Sequence, residues 1–116
     1  MKEIAFDKNI VKADNSIIKA PYKIIGAWLS KALNYVIILM DPNANLSTAR
    51  FNNLIVYDLN RPSDIKYQLD LPTSSGPDCY TEAKMYGDRI LAFSFSCHRC
   101  EIDIETGAIV SKSFTK

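Results

Sequence analysis

The last quarter of the chain, residues 88–110, alternates apolar and polar side chains, and this pattern constrains the fold most. Cys100, Ile102 and Ile104 fall on one face of a strand, and acidic residues fall on the other. Gly107 then follows Thr106 in a turn, where a glycine adopts a positive φ angle at no steric cost. The segment predicts three short antiparallel strands joined by tight turns, which is typical of a propeller blade.

The rest of the chain also reads as short strands, with no sustained helical period. Residues 2–7 and 9–13 predict a hairpin or two edge strands. The β-branched run from Tyr35 to Met40 is apolar on both faces, the pattern of a central strand covered on both sides. Residues 72–78, with two prolines and a glycine, form the clearest linker. We therefore expect an all-β, antiparallel fold.

An internal repeat has the spacing of a blade. Asp58 aligns with Asp103 at an offset of 45, and Val36–Asp41 aligns with Ile90–Phe95 at an offset of 54. A period in the mid-forties is typical of propeller or kelch-like units. Two units cannot close a ring of roughly 4–8 blades. The sequence instead predicts one domain over residues 1–116, in which blade-like units at about 22–71 and 79–114 pack as a sandwich.

Composition and charge exclude several classes of protein. The net charge of +1 argues against direct nucleic-acid binding, which needs a concentrated basic surface. The apolar run 32–40 is far shorter than the roughly 20 residues that span a bilayer, and the first residues lack a signal-peptide core. Three cysteines, an odd number, fit a reducing compartment. We expect a cytoplasmic protein that makes no membrane contact.

Several strings in the chain resemble known repeats. Tyr57-Asp58-Leu59 and the segment 102–107 resemble the repeats of quinoprotein-type β-propellers. From Asn53 to Lys116 the pattern also resembles small bacterial half-propeller proteins, among them the immunity proteins of contact-dependent growth-inhibition systems. This resemblance implies a cytoplasmic protein that binds one cognate toxin domain, often a nuclease, and blocks its active site.

The predicted binding surface is acidic and rich in tyrosine. Residues 58–105 hold nine acidic and five basic residues, whereas residues 1–57 hold four and seven. Tyrosine offers a large contact area at low entropy cost, and acidic groups would steer a basic nuclease domain towards the surface. An ordinary solvated sheet face is the alternative. The predicted partner-binding residues lie on or near the strand 79–86, where Tyr80, Glu82, Lys84 and Tyr86 alternate: Asp78, Tyr80, Glu82, Tyr86, Asp88, Glu101 and Asp103.

Cys97-His98-Arg99-Cys100 is the motif with the most potential for metal or redox chemistry. Two thiols and an imidazole could supply half of a tetrahedral zinc site, but Cys79 is the only other thiol. Redox pairs of this spacing lie at helix N-termini, whereas this one falls between predicted strands. We therefore expect two reduced, metal-free thiols, with a small metal-binding or redox protein as an alternative.

No catalytic motif is recognisable, so we expect no enzymatic activity and no cofactor. The loop 41–45 has oxygen ligands at alternating positions but lacks the glycine and distal glutamate of a calcium loop. We expect a monomer before the partner binds. A propeller-like structural or scaffolding module is the remaining alternative to an immunity protein.

Overall fold

A computed structural model describes residues 4–13, 15–44 and 50–114. Within these ranges the chain forms twelve strands and no helix. The strands are β1 (Ile4–Asp7), β2 (Ile10–Ala13), β3 (Ser16–Lys19), β4 (Ile24–Ser30), β5 (Tyr35–Met40), β6 (Arg50–Phe51), β7 (Leu54–Asp58), β8 (Ile65–Gln68), β9 (Asp78–Tyr86), β10 (Arg89–Ser94), β11 (His98–Asp103) and β12 (Ile109–Phe114). The all-β prediction is confirmed.

The strands form three sheets that stack as layers. The N-terminal sheet has the order β1-β2-β3, the central sheet β4-β5-β7-β8, and the C-terminal sheet β12-β11-β10-β9-β6. Neighbouring strands are antiparallel except β6 and β9, which run parallel. The central and C-terminal sheets are the two predicted blade-like sheets, and the N-terminal strands add a third layer.

Strand β5 shows why a third layer is needed. Ile37 and Leu39 pack into the core shared with the C-terminal sheet, whereas Val36 and Ile38 pack into a second core beneath the N-terminal sheet. All four side chains are almost completely buried. Because successive residues of a strand face opposite sides, an apolar run of this kind requires cover on both faces. The prediction of a central strand is confirmed.

The internal repeat has a counterpart in the structure. Asp58 ends β7 and Asp103 ends β11, and each Oδ1 accepts the N–H of the residue two positions later, Asn60 at 2.9 Å and Glu105 at 3.0 Å. This Asx turn ends the third strand of each meander. Strands β5 and β10 also lie at the predicted offset of 54. The two sheets therefore share the local chemistry that the sequence repeat indicated.

One prediction about β9 is wrong. Tyr80 was expected on the solvent face with Glu82 and Tyr86, but Tyr80 is 0% exposed and lies in the core between the sheets. The register with β10 shifts, because Glu82 pairs with Phe93 and Tyr80 pairs with Ser94. Thr81 is thus an extra residue, a β-bulge that reverses the inward and outward alternation.

Candidate functional site

The C-terminal sheet leaves one face turned away from the central sheet. Ile90, Ala92, Cys100 and Ile102 point into the core, so the residues between them point outwards. We call this surface the outer face. It comprises three cross-strand rows: Glu82, Phe93 and Arg99; Lys84, Leu91 and Glu101; and Tyr86, Arg89 and Asp103.

Arg89 organises one end of the outer face. Its Nη1 lies 3.7 Å from Oε2 of Glu101, and its Nε lies 3.9 Å from Oδ1 of Asp88. Asp103 is its register partner on β11. Tyr86 is 48% exposed. Partial desolvation, followed by the effect of the nearby Glu101 carboxylate, raises the pKa of Tyr86. We call these five residues the Arg89 cluster.

The Arg89 cluster contains four of the seven predicted binding residues: Tyr86, Asp88, Glu101 and Asp103. Arg89 itself was not predicted, although its place beside Asp88 and the alternation of β10 were signals for it. Glu82 is exposed but lies at the other end of the face, opposite Phe93.

The outer face as a whole is not acidic. It carries three acidic residues, Glu82, Glu101 and Asp103, and three basic ones, Lys84, Arg89 and Arg99. The excess of acidic residues lies at the end that holds the β9–β10 hairpin. Glu105 lies there, two positions after Asp103. The Asp88 carbonyl accepts the N–H of Ile104 at 3.1 Å, which brings Asp88 close to this segment. The acidic surface is therefore smaller than the sequence indicated.

Asp78 does not belong to a binding surface, because it is 1% exposed. Its carboxylate accepts hydrogen bonds from the hydroxyl groups of Thr73 at 2.6 Å and Ser96 at 3.0 Å. It also accepts the backbone N–H groups of Cys79 at 3.0 Å and Ser96 at 3.2 Å. These hydrogen bonds compensate for the burial of the charged carboxylate, and they hold the linker 72–78 against the β10–β11 turn. Asp78 and Tyr80 are thus interior residues, and their assignment to partner contact was wrong.

Ser96 connects Asp78 to His98, which invites comparison with a nucleophilic triad. The Ser96 Oγ lies 3.0 Å from Nδ1 of His98 and donates a hydrogen bond to Asp78. In a triad the imidazole lies between the serine and the carboxylate, where it removes the serine proton. Here the serine lies between the other two. This order positions Ser96 without activating it as a nucleophile.

The three thiols lie in different environments. Cys97 is exposed in the β10–β11 turn, with a φ angle of 66°. Cys100 is 0% exposed, and desolvation raises its pKa. Desolvation also raises the pKa of the partly buried Cys79. Among the described residues, no group of three His, Cys, Asp or Glu side chains could hold a metal ion. The loop 41–45 lies partly outside the described residues.

A groove of about 410 Å³ opens beside β9. Ile25, Gly26 and Trp28 of β4 line one side, and residues 81–84 of β9 line the other. No sequence pattern indicated this groove, because its two walls lie more than 50 positions apart in the chain.

A family model described as a domain of unknown function (DUF7957) matches residues 1–114. No curated protein and no solved structure matches the chain. Across residues 4–13, 15–44 and 50–114, no helix is long and apolar enough to cross a membrane.

Proposed function

We propose that this chain, which belongs to the DUF7957 family, is a non-catalytic protein-binding module that neutralises a bacterial toxin in the cytoplasm. The observation that carries the proposal is the Arg89 cluster. A half-exposed tyrosine lies there near the Glu101 carboxylate, which in turn lies 3.7 Å from the guanidinium group of Arg89. Tyrosine and arginine are among the side chains most often found as energetic anchors of protein interfaces.

The placement of Tyr86 suits an anchor. Its backbone pairs with Arg89 of β10 next to the hairpin turn, so the ring is presented from a fixed backbone position before any partner arrives. Pre-organisation of this kind lowers the entropy that is lost on binding. The strands around it are part of a five-stranded sheet, so the surface is rigid. A rigid, aromatic and charged surface supports recognition of one partner rather than many.

The charge of the surface favours a basic partner. Asp88, Glu101, Asp103 and Glu105 lie at the same end of the C-terminal sheet, around Arg89. A toxin that cleaves nucleic acid carries basic residues where it holds phosphates. The proposed mechanism is occlusion: the Arg89 cluster covers this basic cleft, with Tyr86 as the central apolar contact.

Capture of the partner is the first test. A pull-down from the native host, followed by mass spectrometry, should identify one basic toxin domain. Binding kinetics should then show that Tyr86→Ala raises the dissociation rate, at a cost of about 2 kcal/mol or more. Asp88→Lys and Glu101→Lys should slow association, and higher salt should weaken this effect.

Asp7→Lys is the matched control, because Asp7 is an exposed aspartate on the distant N-terminal sheet. It makes the same change in charge and should bind like the parent. If the Tyr86, Asp88 and Glu101 variants all bind like the parent at every salt concentration, the outer face is an ordinary solvated sheet surface and the proposal fails.

A further inference from the structure

Strand β9 has an open edge over residues 82–86. On the side away from β10, β6 pairs with β9 only at Asp78 and Cys79. The side chain of Asn53 occupies the edge at Tyr80. Beyond that point, no strand in the described part of the chain pairs with β9 on this side. An unpaired edge is a template for another strand.

The hairpin register shows which backbone groups the edge offers. Gly87 and Asp88 form a two-residue turn between Tyr86 and Arg89. In such a hairpin the closing pair is hydrogen-bonded, and hydrogen-bonded pairs then alternate along the ladder. Tyr86, Lys84 and Glu82 therefore bond to β10. The N–H and C=O groups of Ala83 and Met85 point to the open edge.

The groove beside β9 leaves room for a further strand at this edge. Its wall on β4 includes Gly26 and Trp28, and the Trp28 ring lies over Gly26, since a methyl group added at Gly26 would come within 2.7 Å of the ring. The groove is open along residues 81–84, and the other side chains that line it include the apolar Ile25, Trp28 and Leu39. An added strand would find hydrogen-bonding groups on β9 and an apolar wall behind them.

The charged side chains on β9 indicate which strand pairs with its open edge. Glu82 and Lys84 flank Ala83 symmetrically, and both project from the outer face. We propose that β9 pairs antiparallel with β9 of a second copy of this chain, about a two-fold axis at Ala83. Each Ala83 then bonds to the other through backbone groups. Each Glu82 lies directly opposite the Lys84 of the other copy, in the pair type whose side chains approach most closely.

This interface is self-complementary, as two-fold symmetry requires. Strand β9 supplies both charges, so a second copy of the same strand is sufficient to pair with the open edge. Opposite charges at facing cross-strand positions stabilise pairing, and like charges oppose it. The dimer would join two five-stranded sheets into one continuous sheet with two outward Arg89 clusters.

Sedimentation equilibrium of the purified chain tests the proposal. The parent should show concentration-dependent dimerisation, weak because edge pairing alone buries little area. Glu82→Lys places a second lysine opposite Lys84 in both facing pairs and should weaken dimerisation at least about tenfold. Lys84→Glu should do the same. An equimolar mixture of these two variants should dimerise again, because every facing pair is then of opposite charge.

Two further variants separate this edge from other surfaces. Glu105→Lys makes the same change in net charge on an exposed turn and should dimerise like the parent. Ala83→Pro removes an N–H that points to the open edge and not to β10. It should keep the β-sheet circular dichroism spectrum and abolish the dimer.

A parent that stays monomeric at every concentration would overturn the proposal. So would a dimer that Glu82→Lys leaves unchanged, or a mixture of the charge variants that fails to associate. The charge series decides the question even if Ala83→Pro does not fold.

Discussion

Asn53 binds the backbone of Tyr80 with both ends of its side-chain amide. Its Oδ1 accepts the N–H of Tyr80 at 2.8 Å, and its Nδ2 donates to the carbonyl of Tyr80 at 2.7 Å. The same Nδ2 donates to the carbonyl of Met40 at 2.9 Å. A side chain thus takes the place of a neighbouring strand and joins the central sheet to the C-terminal sheet.

We expect Asn53→Ala to be strongly destabilising. The substitution removes the hydrogen-bond partner of three buried backbone groups, and Asn53 itself is 0% exposed. An unsatisfied buried group costs about 1–3 kcal/mol, so urea unfolding should show a loss of about 3 kcal/mol or more. Asn60→Ala, at an exposed turn position, is the control and should change stability by less than about 0.5 kcal/mol. Equal effects of the two variants would contradict this role.

Tyr80 and Tyr86 should behave differently. Tyr80 is 0% exposed, and its hydroxyl donates to the carbonyl of Asp70 at 2.6 Å. Tyr80→Ala should therefore cost about 3–5 kcal/mol of stability, and Tyr80→Phe about 1 kcal/mol. Tyr86→Ala should leave the urea midpoint nearly unchanged, because Tyr86 is 48% exposed. A Tyr80→Ala variant as stable as the parent would contradict the burial of this ring.

Stability should fall at alkaline pH. Desolvation raises the pKa of Cys100 above its ordinary value of 9.0 and that of Tyr80 above its ordinary value of 10.0. The unfolded chain therefore releases these protons at lower pH than the folded chain does. Their contribution is complete below about pH 9 and is lost as the pH rises through and beyond 9 to 10. Urea midpoints measured from pH 7 to pH 11 should show this decline.

A double variant, Tyr80→Phe with Cys100→Ala, tests the origin of that decline. It should start from a lower stability at pH 7 but fall less steeply above pH 9, because two of the responsible groups are gone. A slope identical to that of the parent would assign the decline to other groups. Tyr57 and Cys79, whose pKa values desolvation also raises, are the first to examine.

The thiols should react at very different rates. Cys97 is exposed, Cys79 is partly buried and Cys100 is buried. An aromatic disulfide reagent should modify Cys97 rapidly in the folded protein, whereas Cys100 should react only when the sheets open. Peptide mass spectrometry after timed quenching gives the order. Rapid labelling of Cys100 in native buffer would show that the core between the sheets is not closed.

Gly107 should be sensitive to substitution for two separable reasons. Its φ angle is 75°, and an added Cβ would lie 3.3 Å from atoms of Leu69 and Tyr67. Gly76 has a φ angle of 85° but no heavy atom within 4 Å of an added Cβ. Both alanine variants should lose about 1–2 kcal/mol of stability to the left-handed backbone. Gly107→Ala should lose more than Gly76→Ala, and equal losses would show that the contacts relax freely.

Local pattern was enough to predict much of the fold. The apolar run of β5 and the alternation in β11 are properties of short segments, and each appears where it was expected. The repeat also aligned Asp58 with Asp103, although the Asx turns that both residues form became visible only in the structure. The third layer was not predicted as a sheet of its own, although the apolar character of both faces of β5 required some cover.

The candidate site was predicted less well, because it depends on strand pairing. Alternation alone cannot show that Thr81 is a bulge, since the extra residue is visible only against the register of β10. The bulge places Tyr80 in the core while Glu82 remains outside. Similarly, the acidic residues and Lys84 were visible in the sequence, but Arg99 joins their face only through its cross-strand pairing with Phe93.

The path of the chain through β6 has a consequence for how the molecule opens. After β5 the chain leaves the central sheet, pairs with β9 in the C-terminal sheet through Arg50 and Phe51, and returns at β7. The backbone crosses from one of these two layers to the other and back, which links them covalently. Their amide protons should therefore exchange with solvent as one cooperative unit. The N-terminal sheet is one continuous segment that ends before this crossing. We therefore expect it to open before the other two layers and to be cleaved first in limited proteolysis.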